Sequence, residues 1–221
     1  MVPERRAGID RGPQLGHRLP MSERVIDFFY DVGSSYSYLA STQIERIESE
    51  SGWTVRHRPF LLGAVFKATG NTTPASVAAK ARWMVLDMTR WSGLYGVPFA
   101  LPSRFPMVTL ATQRALCAAE VLGGEAAVRA FTPHLMRAFW AEDRDVASPE
   151  VIAACARAAG LDADAIAAGA GEPAAKDLLR AHTDAALAKG AFGAPCFVVG
   201  DDLFWGNDRI PLLLHHLARR A

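Results

Sequence analysis

The chain has 221 residues, half of them hydrophobic and 21% charged, with a formal net charge of +1. That is globular composition, enough for one large domain or two small ones, and it excludes a basic nucleic-acid face or an acidic tail. Three widely separated cysteines, Cys117, Cys155 and Cys196, provide neither a disulfide framework nor a metal-ligand spacing, so the sequence fits a reducing, cytoplasmic setting and no metal site.

In chain order, residues 1–22 are rich in Arg, Gly and Pro and lack the apolar run of a signal peptide. They read as a disordered extension, with Met21 an alternative start. No run reaches the roughly 20 apolar residues that span a membrane. A strand is expected over 24–30, buried toward its end, then a helix over 35–51 closed by Gly52. Residues 53–58 alternate with period two and read as a second strand, so strand, helix and strand form a parallel βαβ unit. A turn at Pro59 leads into a short apolar helix, and 69–74 is a turn-rich loop. Helices are then expected over 75–94, 107–122, 124–141, 149–159 and 173–189, with Ser148-Pro149 a cap and first helical residue. Beyond Gly190, Cys196 to Val199 and Leu203 to Trp205 read as a β-hairpin, and Asn207-Asp208 as the cap of a last helix.

The order is therefore βαβ, a helical block, then ββα. The two ends together build an α/β fold of thioredoxin type with a four-stranded mixed sheet. Residues 23–73 and 190–221 form the thioredoxin-like domain, and 74–189 are an inserted all-helical domain. In thioredoxin-type redox proteins the first strand-to-helix corner carries Cys-X-X-Cys. Here those positions are Ser34 and Ser37, which cannot form a disulfide. The corner keeps backbone N–H groups suited to an anion and points to a thiol supplied from elsewhere.

Several separated segments carry a family resemblance. They are Asp31-x-x-Ser34-x-Tyr36-x-Tyr38-Leu39-Ala40, Arg58 to Gly63, Lys67 with Gly70-Asn71, Phe192 to Pro195, and Phe204 to Arg209. In order and spacing they resemble the 2-hydroxychromene-2-carboxylate isomerases, relatives of kappa-class glutathione transferases within the DsbA-like thioredoxin superfamily. The resemblance covers nearly the whole chain from Arg24. It implies a glutathione-dependent isomerase in aromatic catabolism. The glutathione thiolate adds to the hydroxychromene carboxylate, the ring opens, a bond rotates, and the thiol is returned. It also implies a homodimer. Two alternatives stand beside it: a kappa-like transferase that leaves glutathione on its electrophile, and a non-catalytic glutathione- or peptide-binding module.

By the same resemblance, Ser34 stabilises the thiolate, where its bland role is helix capping. Ser35 departs from the proline usual at that place and loosens the turn. Ala194-Pro195 is expected to be cis, with the Ala194 backbone pairing with the cysteinyl part of glutathione. Asn207 and Asp208 are expected at the γ-glutamyl end, and Lys67 and Asn71 at a carboxylate. Tyr36 and Trp83 are candidate substrate contacts, with Trp91, Phe99 and Phe105 as further apolar wall. Arg82, Arg90 and Arg104 are weaker candidates for a carboxylate, since charged helix residues are mostly solvated. Tyr38 is read as core, and Cys196 as a small buried hydrophobe.

Overall fold

The computed structural model describes residues 24–220. The expectations for 1–22 and Met21 lie outside the described residues. The first strand, β1 (Val25–Tyr30), alternates its side chains between two layers. Ile26, Phe28 and Tyr30 join the larger core, while Phe29 packs with Phe60, Val65, Cys196 and Val198 on the opposite face. Phe28 stacks on both Tyr30 and Phe197 with ring centroids 5.0 Å apart, so aromatic pairs fill the centre of the sheet.

Strand β2 (Thr54–Pro59) runs parallel to β1, with Ile26 opposite Val55. Near the C-terminal end, β3 (Cys196–Val199) runs antiparallel to β1, and β4 (Asp202–Trp205) closes a hairpin with β3. The order is β2-β1-β3-β4, the expected mixed sheet. Two outward N–H groups of the edge strand β2 are taken by carboxylates: Val55 donates to Glu48 at 2.8 Å and His57 to Glu125 at 2.7 Å. Side-chain acceptors thus cover an edge that would otherwise invite another strand.

The helices depart from expectation in four places. The helix expected over 35–51 is two, α1 (Ser35–Ser41) and α2 (Ile44–Ser51). Ser41 and Thr42 turn their hydroxyls back onto the carbonyls of Tyr38 and Leu39, at 2.7 Å each, and compete with helix continuation there. After α3 (Leu62–Thr69) and a 3-10 turn at Pro74–Ser76 comes α4 (Ala78–Tyr95). The two segments expected over 107–122 and 124–141 run together as α5 (Leu110–Trp140), with the break surviving as a non-helical Gly124 at φ 66°. Beyond α6 (Pro149–Ala158) lies α7 (Ala163–Gly169), which the sequence reading missed between Gly160 and the Gly169-to-Pro173 breakers. Its signal was Asp162, whose carboxylate caps Asp164 and Ala165 at 3.0 Å. Helix α8 (Pro173–Ala188) follows expectation. Helix α9 (Ile210–Ala218) lies where expected, but Asn207 and Asp208 do not cap it: they form a 3-10 turn, Asn207–Arg209, and Arg209 stands at the cap without a side-chain bond. No helix among the described residues is long and apolar enough to cross a membrane.

Helix α5 is the strut that fixes the sheet's business end. Buried Gln113 donates its amide to the carbonyls of Tyr30 at 3.0 Å and Phe60 at 2.8 Å, clamping the ends of β1 and β2. Trp140 donates to the Val32 carbonyl at 2.7 Å, and the Thr132 hydroxyl meets that of Tyr30 at 2.6 Å. The segment that follows β1 is thereby held from behind by one long helix.

On the other sheet face, Arg58 bridges Asp27 and Glu120, with His182 close to both Arg58 and Glu120. Burial, with Arg58 beside it, pushes the His182 imidazole down to about 4. The folded value is then below the unfolded one, so the stability contributed by the neutral ring is complete above about pH 6.5 and is lost as pH falls toward 4. Glu120, raised by burial, acts with the opposite sign. His182→Gln removes the imidazole titration. Denaturant unfolding at a series of pH values should show an acid-side slope in the parent, worth of order 3 kcal/mol, and a flatter one in the variant. Equal slopes would remove His182 as the cause.

Candidate functional site

Residues 31–34 connect β1 to α1. The Asp31 carbonyl accepts the Ser34 N–H at 2.9 Å, and the Asp31 carboxylate accepts the Gly33 N–H at 2.8 Å, so the turn is tied twice to one residue. Ser34 caps α1 in an extended conformation, its Oγ accepting the Ser37 N–H at 3.2 Å. The same hydroxyl donates to the Ala194 carbonyl at 3.2 Å, across 160 residues of chain. Capping is thus intact with serine at position 35, and both the capping and the bridging role fall on Ser34. Because α1 has only seven residues before the break at Thr42, what it offers an anion is its first-turn N–H groups more than a long helix dipole.

The Ala194–Pro195 peptide is cis, as expected. The Pro195 carbonyl accepts the Gly206 N–H at 3.0 Å and joins this loop to the end of the hairpin. Gly193 is required by space: a Cβ there would lie 2.6 Å from Trp205 Nε1. Gly206 is required by conformation, with φ 106°, and a Cβ on it would run into the Asp208 carboxylate. These two glycines let the 193–195 loop and the Asn207-Asp208 turn face the corner together. Asn207 is 1% exposed, and its side chain is hydrogen-bonded to the Tyr95 hydroxyl, which ties the turn to the end of α4. Asp208 is exposed and pairs with Arg209 at 3.2 Å.

These elements frame a cavity of about 1080 Å³. Ser34, Tyr36, Asn71, Trp83, Ala194, Asn207 and Asp208 all line it, so seven of the residues singled out from the sequence converge. Tyr36 donates to Asp87 at 2.9 Å, and burial with that carboxylate pushes the phenol above its ordinary range. Asn71 donates to the Phe192 carbonyl at 2.8 Å and accepts the Thr72 N–H, so its amide braces two cavity-lining loops against each other. Trp91 and Phe105 extend the apolar wall as expected. Phe99 does not line the cavity and packs on Trp140, with centroids 6.3 Å apart.

Lys67 and Pro195 are not among the lining residues. Lys67 lies exposed in the last turn of α3, where a cation complements the helix end. Arg82, Arg90 and Arg104 are exposed and outside the walls, and Arg104 pairs with Asp145 at 3.5 Å. The cations that do line the cavity, Lys80 and Arg209, were missed. The signal for Lys80 was its spacing from Trp83, Asp87 and Trp91, one stripe of α4. Tyr38 is core, 4% exposed. Cys196 is fully buried, donates to the Gly193 carbonyl and is pushed up to about 12 by burial, which makes it an inert thiol.

Residues 25–218 match the family model described as DSBA-like thioredoxin domain. A 2-hydroxychromene-2-carboxylate isomerase of Sphingobium xenophagum is 32% identical over 196 residues, covering 88% of this chain and 98% of that protein. Human glutathione S-transferase kappa 1 is 29% identical over 209 residues, covering 89% and 92%. A solved 2-hydroxychromene-2-carboxylate isomerase superposes with a TM-score of 0.80 at 27% identity, covering 88% of this chain and 95% of that one.

Proposed function

For a chain that belongs to the DSBA-like thioredoxin family, we propose that the cavity binds glutathione and isomerises a small aromatic carboxylate of the 2-hydroxychromene-2-carboxylate kind, giving the trans-hydroxybenzylidenepyruvate. The observation that carries this reading is the Ser34 hydroxyl, held at the wall between the α1 N–H groups and the Ala194 carbonyl. The neighbouring groups fit the tripeptide. Ala194 offers backbone to its cysteinyl unit, and Asp208 on the wall beside Asn207 suits the ammonium of its γ-glutamyl end. Lys80, with no ion-pair partner among the described residues, takes over on the cavity wall the carboxylate role expected of Lys67. The relatives named as isomerases and as glutathione transferases support the same chemistry.

When bound, glutathione supplies a nucleophilic thiolate. Free thiols have pKa values of about 8.5, so the protein must favour the anion. Ser34 has a single proton to give. Turning it from the Ala194 carbonyl to sulfur stabilises the charge and frees that carbonyl to accept a peptide N–H. Trp83, Trp91 and Phe105 also line the cavity and offer apolar surface to an aromatic ring. The cavity exceeds the roughly 300–1,000 Å³ usual for one drug-sized ligand, which leaves room for both partners.

Titration calorimetry with glutathione, followed by turnover of the hydroxychromene carboxylate with glutathione recovered unconsumed, tests the proposal. No heat of binding sinks it. Stoichiometric loss of glutathione to an electrophile would replace it by the kappa-type transferase reading, which the 29% identity to the human kappa enzyme favours as the second choice. The proposal includes a cytoplasmic homodimer, to be checked by light scattering and cell fractionation.

A further inference from the structure

Asp31 has no place in the chemistry described above, yet three lining segments converge on its carboxylate. Asp31 is 2% exposed and itself borders the cavity. Its Oδ1 accepts the Gly33 N–H at 2.8 Å and the Thr109 hydroxyl at 2.6 Å, and its Oδ2 accepts the Leu62 N–H at 2.9 Å. Gly33 belongs to the Ser34 turn, Leu62 is the first residue of α3, and Thr109 directly precedes α5. All three line the cavity, and Thr109 reaches Asp31 from 78 residues away in the chain. No ion pair joins Asp31 to a cation among the described residues, so these three donors compensate a buried carboxyl whose affinity for a proton burial has raised. The contact with Thr109 is tight on the other side as well: a Cβ on Gly33 would lie 3.1 Å from Thr109 Cγ2.

We propose that Asp31 is a positioning residue, a clasp that locks the Ser34 turn to the walls at Leu62 and Thr109 and so sets the distance between the sulfur held at Ser34 and the acceptor seated against those walls. This rests on the function proposed above. Glutathione itself is held from the Ser34, Ala194 and Asn207 side. Loosening the clasp therefore changes the reaction step more than glutathione affinity. Asparagine at 31 keeps the size, but its NH₂ must face at least one N–H donor, so one wall is released.

The test measures kcat, glutathione affinity by calorimetry and melting temperature for Asp31→Asn, Thr109→Val, their double variant and Thr109→Ser. The expected result is a fall in kcat of about 30-fold for Asp31→Asn and about 10-fold for Thr109→Val, each the loss of a hydrogen bond to a charged group. Glutathione affinity stays within about twofold, Thr109→Ser retains the parent kcat, and the double variant loses less than the product of the two single losses, because both act on one carboxylate. Should Asp31→Asn fail to fold, the Thr109 pair decides alone. If Thr109→Val keeps the parent kcat, if valine and serine behave alike, or if the losses simply multiply, the clasp is overturned. If the parent binds no glutathione, the proposed function falls instead.

Discussion

Replacing Ser34 by alanine should lower turnover by about 10²–10³-fold, the effect of removing one preorganised donor from a developing anion. The hydroxyl does two things in the structure: it accepts the Ser37 N–H as the cap of α1, and it donates to the Ala194 carbonyl. Loss of the cap costs about 0.5–2 kcal/mol of stability, which a domain of this size survives. Loss of the donor falls on the thiolate. With its pKa left near the free value of about 8.5, only a few per cent of the thiol is ionised at neutral pH, so the rising limb of the pH–rate profile moves to higher pH. Raising pH should then recover part of the rate in the variant and little in the parent. Glutathione affinity should change much less, because Asn207, Asp208 and Lys80 are untouched. An unchanged rate would reduce Ser34 to a helix cap and leave a binding module. A melting transition lowered by far more than a cap is worth would show that the loss is structural.

How much of this was legible in the sequence divides by the range of the interactions. The strands follow from local pattern: β1 from an apolar run, β2 from alternation with period two, the hairpin from Gly200-Asp201-Asp202 between two short runs. The break between α1 and α2 was not, because it depends on Ser41 and Thr42 choosing backbone carbonyls over solvent. Among the candidate site residues, those near glycines or in a strand-to-helix corner, such as Ser34, Ala194 and Asn207, do line one cavity, since glycines mark where backbone segments can approach closely. Lys80 lines the cavity and Lys67 does not, although both lie on helices. Which side of a helix faces a cavity is decided by tertiary packing, and on α4 the buried Met88 stays outside the lining while Met84 joins it. Asp31 was visible only as the start of a motif. Its three donors lie in segments that no local pattern brings together.

Trp140→Ala should be the most destabilising single change in the framework of the site, by about 3–5 kcal/mol for the lost ring. The indole is fully buried at the end of α5, with centroids 4.9 Å from Phe139 and 5.4 Å from Phe105. Its N–H supplies the Val32 carbonyl at 2.7 Å, and leaving that buried acceptor bare adds roughly 1–3 kcal/mol. For a chain of this length the melting temperature should fall by about 10 °C or more. Trp140→Phe keeps most of the volume and loses the N–H, so its smaller loss, measured by denaturant unfolding alongside the alanine variant, separates hydrogen bond from packing. The consequence reaches the cavity from two directions. Phe105 is part of the cavity wall, and Val32 lies two residues before Ser34. Both variants should therefore bind glutathione more weakly than their residual folded fraction accounts for, alanine more so than phenylalanine. If Trp140→Ala melts within about 2 °C of the parent, less than a single kcal/mol would shift it, then α5 does not brace the Ser34 corner, and the support for the site must come through Gln113 and the strand ends instead.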